Sequence, residues 1–314
     1  MSVRSVILAA VFAASPSLAS APVAADGRTV RIETEEALII WDAATKTEHF
    51  IRRATFDTDA KDFGFLVPTP TQPDLAEASD DVFRHLERVT RPPEAPVTVL
   101  ERKSVGGLDV ALLAGEATLR RWLRQQGYRP SPQLDQWLEP YVAKGWKIGA
   151  FKVAGNAPHV ETAAVRMSFH TERPFFPYRE PANPRIGSGR LLRVYVLAEQ
   201  RVEGTIGVQG EWPAATRWTS TLPDIDRDRV LQLVALPYST APTAFWLTKL
   251  EDSSSARAGG ADDLYFKPAT QQAMIRSAPQ ARQERGLPWL SIAIAVLLAA
   301  GIGAYLWRQG KTHG

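Results

Sequence analysis

The sequence predicts an α+β domain with mixed or antiparallel sheets, about three helices in its first half and a β-rich second half, plus one C-terminal transmembrane helix. Short runs that alternate apolar and polar residues predict the strands, and three stretches with apolar residues every three or four positions predict the helices. Apolar segments at both ends enclose one folding unit, residues 26–270. An alternative division splits this unit into two closely packed halves near residue 155.

The composition excludes several classes of protein. The 314 residues are 45% hydrophobic and 23% charged, which is ordinary for a globular chain. The net charge is only +3, and acidic residues are interspersed with the basic ones, so the sequence predicts no nucleic-acid partner. The absence of cysteine excludes disulfides, thiolate catalysis and cysteine-ligated zinc.

The first 25 residues have the pattern of a secretory signal peptide. Arg4 precedes an apolar stretch, residues 6–14, and small residues follow around Ala19 and Ala21. Cleavage after Ala19, Ala21 or Ala25 fits the pattern, although a cut after Ala21 would place Pro22 at the new N-terminus. The sequence alone leaves the cleavage site open.

The first half begins with strands. Residues 30–32, 37–41 and 48–56 are predicted strands, with a hairpin turn at residues 42–45. The first alternates apolar and polar side chains, the second is an apolar run, and the third has β-branched and aromatic residues between charged ones. Residues 62–70 form a further apolar stretch that contains Pro68 and Pro70. Since proline lacks the N–H that a central strand donates, this strand is predicted to lie at a sheet edge.

Three helices are predicted next. The first has Ser79 as its N-cap, with apolar residues between 82 and 89. The second covers residues 116–126 and ends at Gly127, and the third begins at Ser131 and ends at Gly145. Strands are predicted at residues 97–101, 108–113, 146–153, 160–170, 191–198, 205–209, 230–236 and 245–250. Residues 251–263 are predicted as a mobile loop and residues 271–286 as a polar stalk.

Residues 287–307 are predicted to span a membrane. This uncharged run begins at Leu287, ends at Trp307 and is long enough for the roughly 30 Å of a hydrocarbon core. Small side chains recur every four residues along one face of the helix, where a second helix could pack closely. They are Ser291, Ala295, Ala299 and Gly303. With a cleaved signal peptide, this single span leaves most of the chain extracytoplasmic and residues 308–314 in the cytoplasm.

Two stretches resemble a known bacterial family. Residues 37–73, ALIIWDAATKTEHFIRRATFDTDAKDFGFLVPTPTQP, and residues 137–153, WLEPYVAKGWKIGAFKV, are similar to domain of unknown function 2330. The resemblance implies a signal peptide, an early strand that ends in a Pro-x-Pro turn, a helix that leads into a Gly-Trp strand, and a C-terminal membrane segment. It implies no catalytic residues, because no activity is established for the family.

The candidate site residues are few. His49, His159 and His170 are candidate bases or metal ligands if the fold brings them together. Trp212 and Trp218 are candidate platforms for stacking a sugar ring. The motifs of zinc proteases, serine hydrolases, P-loop proteins and dinucleotide-binding proteins are absent. The sequence therefore favours a protein that is not an enzyme and predicts no metal or cofactor.

The leading hypothesis is a binding or assembly module of the bacterial cell envelope, anchored by residues 287–307. Its partner is an envelope protein or a second copy of the same chain. The alternative is a membrane-tethered hydrolase or sugar-binding domain that acts on the cell wall.

Overall fold

The computed structural model describes residues 21–25, 27–91, 108–113, 116–128, 131–154, 158–179, 191–240, 245–254 and 262–276. The chain divides into two units, Met1–Arg276 and Ser277–Gly314, and the second lies outside the described residues. The predicted membrane span, its face of small residues and the cytoplasmic tail therefore also lie outside them. Within the described ranges, no helix is long and apolar enough to cross a membrane.

The described part of the chain contains seventeen strands and four helices, which confirms the strand-rich α+β class. The strands are β1 (Ala21–Ala24), β2 (Val30–Asp42), β3 (Thr47–Thr58), β4 (Asp62–Thr69), β5 (Asp74–Glu77), β6 (Leu108–Leu113), β7 (Lys147–Ala154), β8 (His159–Glu161), β9 (Val165–His170), β10 (Phe175–Phe176), β11 (Leu191–Ala198), β12 (Val202–Ile206), β13 (Gly210–Glu211), β14 (Ala215–Thr221), β15 (Trp246–Asp252), β16 (Leu264–Pro268) and β17 (Ile275–Arg276). The helices are α1 (Asp81–Val89), α2 (Glu116–Gln125), α3 (Pro132–Ala143) and α4 (Asp224–Leu233).

The largest sheet has nine strands in the order β17-β14-β15-β11-β2-β3-β9-β5, and β8 also pairs with β3. Strands β2 and β11 run parallel, whereas the other pairs are antiparallel. Strand β9, from the second half of the chain, lies between β3 and β5 from the first half. The two predicted halves therefore interleave in one sheet and do not form separate domains.

Two four-stranded sheets complete the β structure, with orders β1-β4-β7-β6 and β10-β16-β12-β13. Their apolar side chains and those of one face of the nine-stranded sheet form a shared core. The prediction that β4 lies at an edge is wrong, because β1 and β7 pair with it on either side. Strand β1 pairs only with residues 63–66, so Pro68 lies beyond the paired stretch on that side.

Helices α1 and α4 cover the other face of the nine-stranded sheet. Val230, Leu231, Leu233 and Val234 are buried there. The predicted strand at residues 230–236 is wrong, since α4 occupies most of this stretch. A helix places these four side chains on one face, because residues three and four positions apart lie close together.

Helices α2 and α3 pack against the sheet of β1, β4 and β7. Both were predicted, and their ends have the expected chemistry. The Ser131 hydroxyl accepts the backbone N–H of Leu134 at 3.1 Å, as an N-cap does. After α2, Gly127 adopts the left-handed conformation that ends many helices, with φ of 78°.

The folded unit also extends past its predicted boundaries. Strand β1 lies inside the predicted signal segment, and β17 lies inside the predicted stalk. The Gln272 side chain also holds the residues before β17 against the domain. Its amide oxygen accepts from the backbone N–H of Arg201, and its amide nitrogen donates to the Arg201 carbonyl. Described structure therefore begins at Ala21 and continues to Arg276.

Candidate functional site: a cleft between two helices

The candidate site is an open cleft of about 420 Å³ between α1 and α4. The apolar faces of both helices contact the nine-stranded sheet, so their outward faces form the two walls. Helix α1 contributes His85 and Arg88, and α4 contributes Ile225, Asp226 and Arg229, while Tyr238 follows α4. The volume lies in the range of small-molecule and side-chain binding pockets.

His85 forms the buried floor of the cleft. Its Nδ1 lies 2.8 Å from an Arg88 guanidinium nitrogen, and its Nε2 lies 3.3 Å from a carboxylate oxygen of Asp226. Burial lowers the pKa of His85, and the Arg88 charge adds to this effect, while the Asp226 carboxylate opposes it. The imidazole is therefore neutral at pH 7.

The arrangement fixes the His85 tautomer. A guanidinium has only donors, so the unprotonated Nδ1 must accept from Arg88, and the ring hydrogen lies on Nε2. Nε2 lies 3.3 Å from the Asp226 carboxylate but makes no hydrogen bond among the described groups. Because Nδ1 is already hydrogen-bonded to Arg88 and Nε2 is buried beside Asp226, His85 is suited to holding Arg88 in place rather than to transferring a proton.

Apolar side chains lie beside this polar floor. Ile225 is 80% exposed and Tyr238 is 60% exposed. Large apolar groups next to arginine and a polar rim are typical of protein-binding surfaces. The cleft thus offers hydrogen bonds and ion pairs at its floor and apolar contacts at its margin.

Glu87 anchors α1 to the sheet below the cleft. Its carboxylate accepts from the Lys249 ammonium at 2.7 Å and from the Tyr195 hydroxyl at 3.0 Å. Burial opposes ionisation of Glu87, but the hydrogen bond and charge of Lys249, with the charge of Arg193, hold its pKa below the usual value. The helix is therefore held in position by a charged side chain as well as by its apolar face.

A row of alternating charges crosses the same face of the sheet. Arg53, Glu36, Arg193 and Glu251 occupy matched positions on β3, β2, β11 and β15. Arg53 and Glu36 lie 2.6 Å apart, Arg193 and Glu36 2.9 Å, and Arg193 and Glu251 2.8 Å. Opposite charges at facing positions stabilise the pairing of strands, so the row favours this strand order.

The three candidate histidines do not form one site. His49 is buried on β3, with Nδ1 2.8 Å from the Ser168 hydroxyl, and burial lowers its pKa to about 4. His170 lies on the neighbouring strand and is exposed. His159 is exposed and pairs with Asp57, eight residues along β3 from His49, about 26 Å away for an extended strand.

The candidate tryptophans belong to packed surfaces. Trp212 is buried, and its Nε1 donates to an Asp252 carboxylate oxygen at 3.0 Å. Trp218 on β14 packs beside the apolar cluster beneath α1 and α4. Trp212 is therefore a core residue rather than an exposed sugar platform. The four small residues of the predicted membrane helix, from Ser291 to Gly303, lie outside the described part of the chain.

Sequence reasoning missed the cleft because it missed α4. Two signals favour that helix. Pro223 precedes it, and Asp224 and Asp226 lie in its first turn, where the helix dipole favours acidic side chains. The apolar residues 230–236 that follow resemble a strand in sequence, so a strand was predicted there instead of the end of α4.

The fold and the cleft define a class: a strand-rich α+β domain with a surface cleft between two helices on its largest sheet. Residues 13–94 and 91–209 match the family described as "Uncharacterized protein conserved in bacteria (DUF2330)". These matches cover more than half of the chain, and the protein belongs to this family. No curated protein matches the chain.

Solved structures with a partly similar path of the chain include baculovirus P35. The match has a TM-score of 0.39 and 6% identity and covers 76% of this chain and 98% of P35. A mutated baculovirus P35 after caspase cleavage matches with a TM-score of 0.31, 6% identity and coverage of 77% and 97%. The caspase-8/P35 complex matches with a TM-score of 0.32, 5% identity and coverage of 78% and 94%. Similarity at this level carries no argument about function.

Proposed function

We propose that this protein is an extracytoplasmic binding module of the bacterial cell envelope, which binds a partner protein in the cleft between α1 and α4. The observation that carries the proposal is the position of Ile225 and Tyr238, two exposed apolar side chains beside a floor of fixed charges. Burying such groups against a partner is favourable, while the charged floor selects a partner with matching polar groups.

The chemistry of the cleft favours binding over catalysis. His85 makes contacts with both ring nitrogens, to Arg88 and Asp226. For the hydrolase alternative, the candidate base His49 lies beside the Ser168 hydroxyl. His49 is buried with a pKa of about 4, and its nearest contact to Ser168 is through Nδ1, so it is a weak base without an open approach for a substrate.

The ends of the chain support an envelope location. Residues 1–25 have the pattern of a secretory signal, and the uncharged run of residues 287–307 has the length of a membrane span. The domain would then be extracytoplasmic, with residues 308–314 on the cytoplasmic side. Trp289, Tyr305 and Trp307 fit the membrane interfaces, which aromatic side chains prefer.

Site-specific photo-crosslinking tests the cleft in the full-length chain in bacterial cells. A photoreactive phenylalanine derivative at position 225 should give one adduct of defined mass in the membrane fraction. The same group at Val208, which is 77% exposed and lies between β12 and β13, is the matched control and should not. The substitution Tyr238→Glu should remove the adduct, because it places a charge in the apolar margin.

Three outcomes would count against this proposal. Equal adducts from positions 225 and 208, or no adduct from either, would exclude the cleft as the partner site. Binding of cell-wall glycan fragments to the purified domain, lost in Tyr238→Glu, would favour the sugar-binding alternative instead.

A second contact is proposed for the membrane segment. Ser291, Ala295, Ala299 and Gly303 would let another helix approach closely and pair with it. The variant with Ala299→Leu and Gly303→Leu should self-associate less in a membrane reporter. Unchanged association would exclude self-pairing through this face.

A further inference from the structure

The first described strand constrains how the protein is processed. Strand β1 forms one edge of a four-stranded sheet and pairs antiparallel with β4, with Ala21 opposite Leu66 and Ala24 opposite Phe63. Ala21 is fully buried and Val23 is 7% exposed. Both belong to the apolar cluster beneath α2 and α3. Strand β1 is therefore part of the folded domain.

The sequence offers three positions at which a signal peptidase could cut. The peptidase requires small residues at the first and third positions before the cleaved bond. Ser17 and Ala19 meet this requirement for a cut after Ala19, and Ala19 and Ala21 meet it for a cut after Ala21. A cut after Ala25 would use Val23 and Ala25, and the Val23 side chain is larger than the serine or alanine at the same position of the other two cuts.

The structure distinguishes between these three cleavage positions by what each cut would remove from β1. A cut after Ala25 would remove all of β1, so the edge of β4 would lose its partner and the cluster beneath α2 and α3 would lose Ala21 and Val23. A cut after Ala21 would remove one buried residue and place a charged amino group on Pro22, inside the strand. Unpaired backbone groups and a desolvated charge both cost stability.

We infer that signal peptidase hydrolyses the peptide bond between Ala19 and Ser20, and that the mature protein begins at Ser20 with β1 intact. Water adds across the bond, which leaves a carboxylate on Ala19 and an α-amino group on Ser20. The new N-terminus then precedes the buried Ala21 by one residue. This inference rests on the proposed export of the chain.

Mass spectrometry of the mature N-terminus tests the inference. The full chain, with its own first residues, is produced in a bacterial host and purified from the membrane fraction, and its N-terminal peptide is sequenced. The expected peptide begins Ser20-Ala21-Pro22. A chain that begins at Pro22 or Asp26 would overturn the inference and leave export intact. A chain that keeps residues 1–19 would overturn the inference as well, because no signal peptide would then have been removed.

A pair of variants makes the test specific. Ala19→Arg places a large charged side chain directly before the proposed bond and should cause the uncut precursor to accumulate. Ala25→Arg is the matched control. Because Ala25 is exposed and follows β1, this variant should still be cut to Ser20. Equal processing of both variants, or blocked processing only in Ala25→Arg, would contradict the inference.

Discussion

Asp263 is a buried carboxyl that makes the folded domain sensitive to pH. It lies just before β16, where it accepts the Tyr141 hydroxyl at 2.6 Å and the backbone N–H of Arg179 at 3.4 Å. Its second oxygen has no hydrogen-bond partner among the described groups. Burial raises the pKa of Asp263 to about 6, although the Tyr141 hydrogen bond opposes this effect.

The pH dependence of stability follows from that pKa. The folded chain holds the proton more tightly than the unfolded chain, whose aspartate has the ordinary pKa of 3.8. The contribution of Asp263 to stability is therefore complete below pH 3.8 and is lost as the pH rises through 6, by about 3 kcal/mol. Asp263→Asn should flatten the unfolding free energy between pH 4 and pH 7.

Urea denaturation at several pH values measures this effect. The matched control is Asp224→Asn, which changes an exposed carboxylate at the start of α4. It should leave the pH dependence of stability close to that of the natural chain. Parallel pH profiles for the natural chain and Asp263→Asn would show that Asp263 does not titrate in this range.

The buried ion pair of Arg52 and Glu35 is a second test at the residue scale. Their side chains lie 2.6 Å apart and are only 7% and 1% exposed, and the guanidinium also lies over the Phe65 ring. Arg52→Met should cost about 3–5 kcal/mol, because it removes the guanidinium that lies against the buried Glu35 carboxylate. Adding Glu35→Leu should restore much of this loss.

Surface pairs provide the comparison for that experiment. Arg31 and Asp57 pair across the same two strands, but their side chains are 41% and 39% exposed. Arg31→Met should therefore cost no more than about 1 kcal/mol in unfolding free energy. Equal losses in Arg52→Met and Arg31→Met would indicate that burial does not decide the strength of these pairs.

At the scale of single elements, α4 shows how a helix can lack the usual capping residues at both ends. Its N-cap is Pro223, which makes no side-chain hydrogen bond. After its last turn Ala235 adopts φ of 53°, a conformation that favours glycine. The Leu236 N–H bonds to the Leu231 carbonyl at 2.9 Å, as in a helix that ends in glycine.

Replacing Ala235 with glycine should therefore stabilise the domain. Glycine adopts the left-handed conformation without the clash of a Cβ, and the gain should be about 1 kcal/mol. The reciprocal change is Gly127→Ala after α2. Its Cβ would meet no atom within 4 Å, so the expected loss of about 1 kcal/mol comes from backbone strain alone. Denaturation midpoints of both variants test the pair, and destabilisation by Ala235→Gly would contradict this account.

These element ends explain which parts of the structure could be predicted. Helix α3 has a serine N-cap and a proline in its first turn, and the β2–β3 hairpin has Asp42, whose carboxylate accepts the backbone N–H groups of Ala44 and Thr45. Such signals are local, so the sequence contains them in full. The cleft needed α4, and the local signals of α4 were weak. Half of the candidate site was therefore absent from the prediction.

At the scale of the whole molecule, the order of strands could not be predicted. Strand β2 pairs in parallel with β11, about 160 residues later in the chain, and β9 lies between two strands of the first half. Nothing in the local pattern of either strand specifies such a distant partner. The opposite charges of Glu36 on β2 and Arg193 on β11 favour the pairing once the strands meet. In the sequence, however, nothing distinguishes these two residues from other charged residues.

The interleaved sheet predicts that neither half of the domain folds alone. A fragment of residues 20–154 would lack β8, β9 and β11, so β2 would lose one neighbour and β3 would lose two, which would expose apolar side chains of the shared core. A fragment of residues 158–276 would lack β2 and β3, which join β9 to β11 in the intact sheet. Each fragment should unfold without a cooperative transition, as measured by circular dichroism on heating, whereas the chain of residues 20–276 should show one transition. A cooperative transition in the second fragment alone would show that the β-rich half is an independent domain, with β2 and β3 added to a sheet that is already stable.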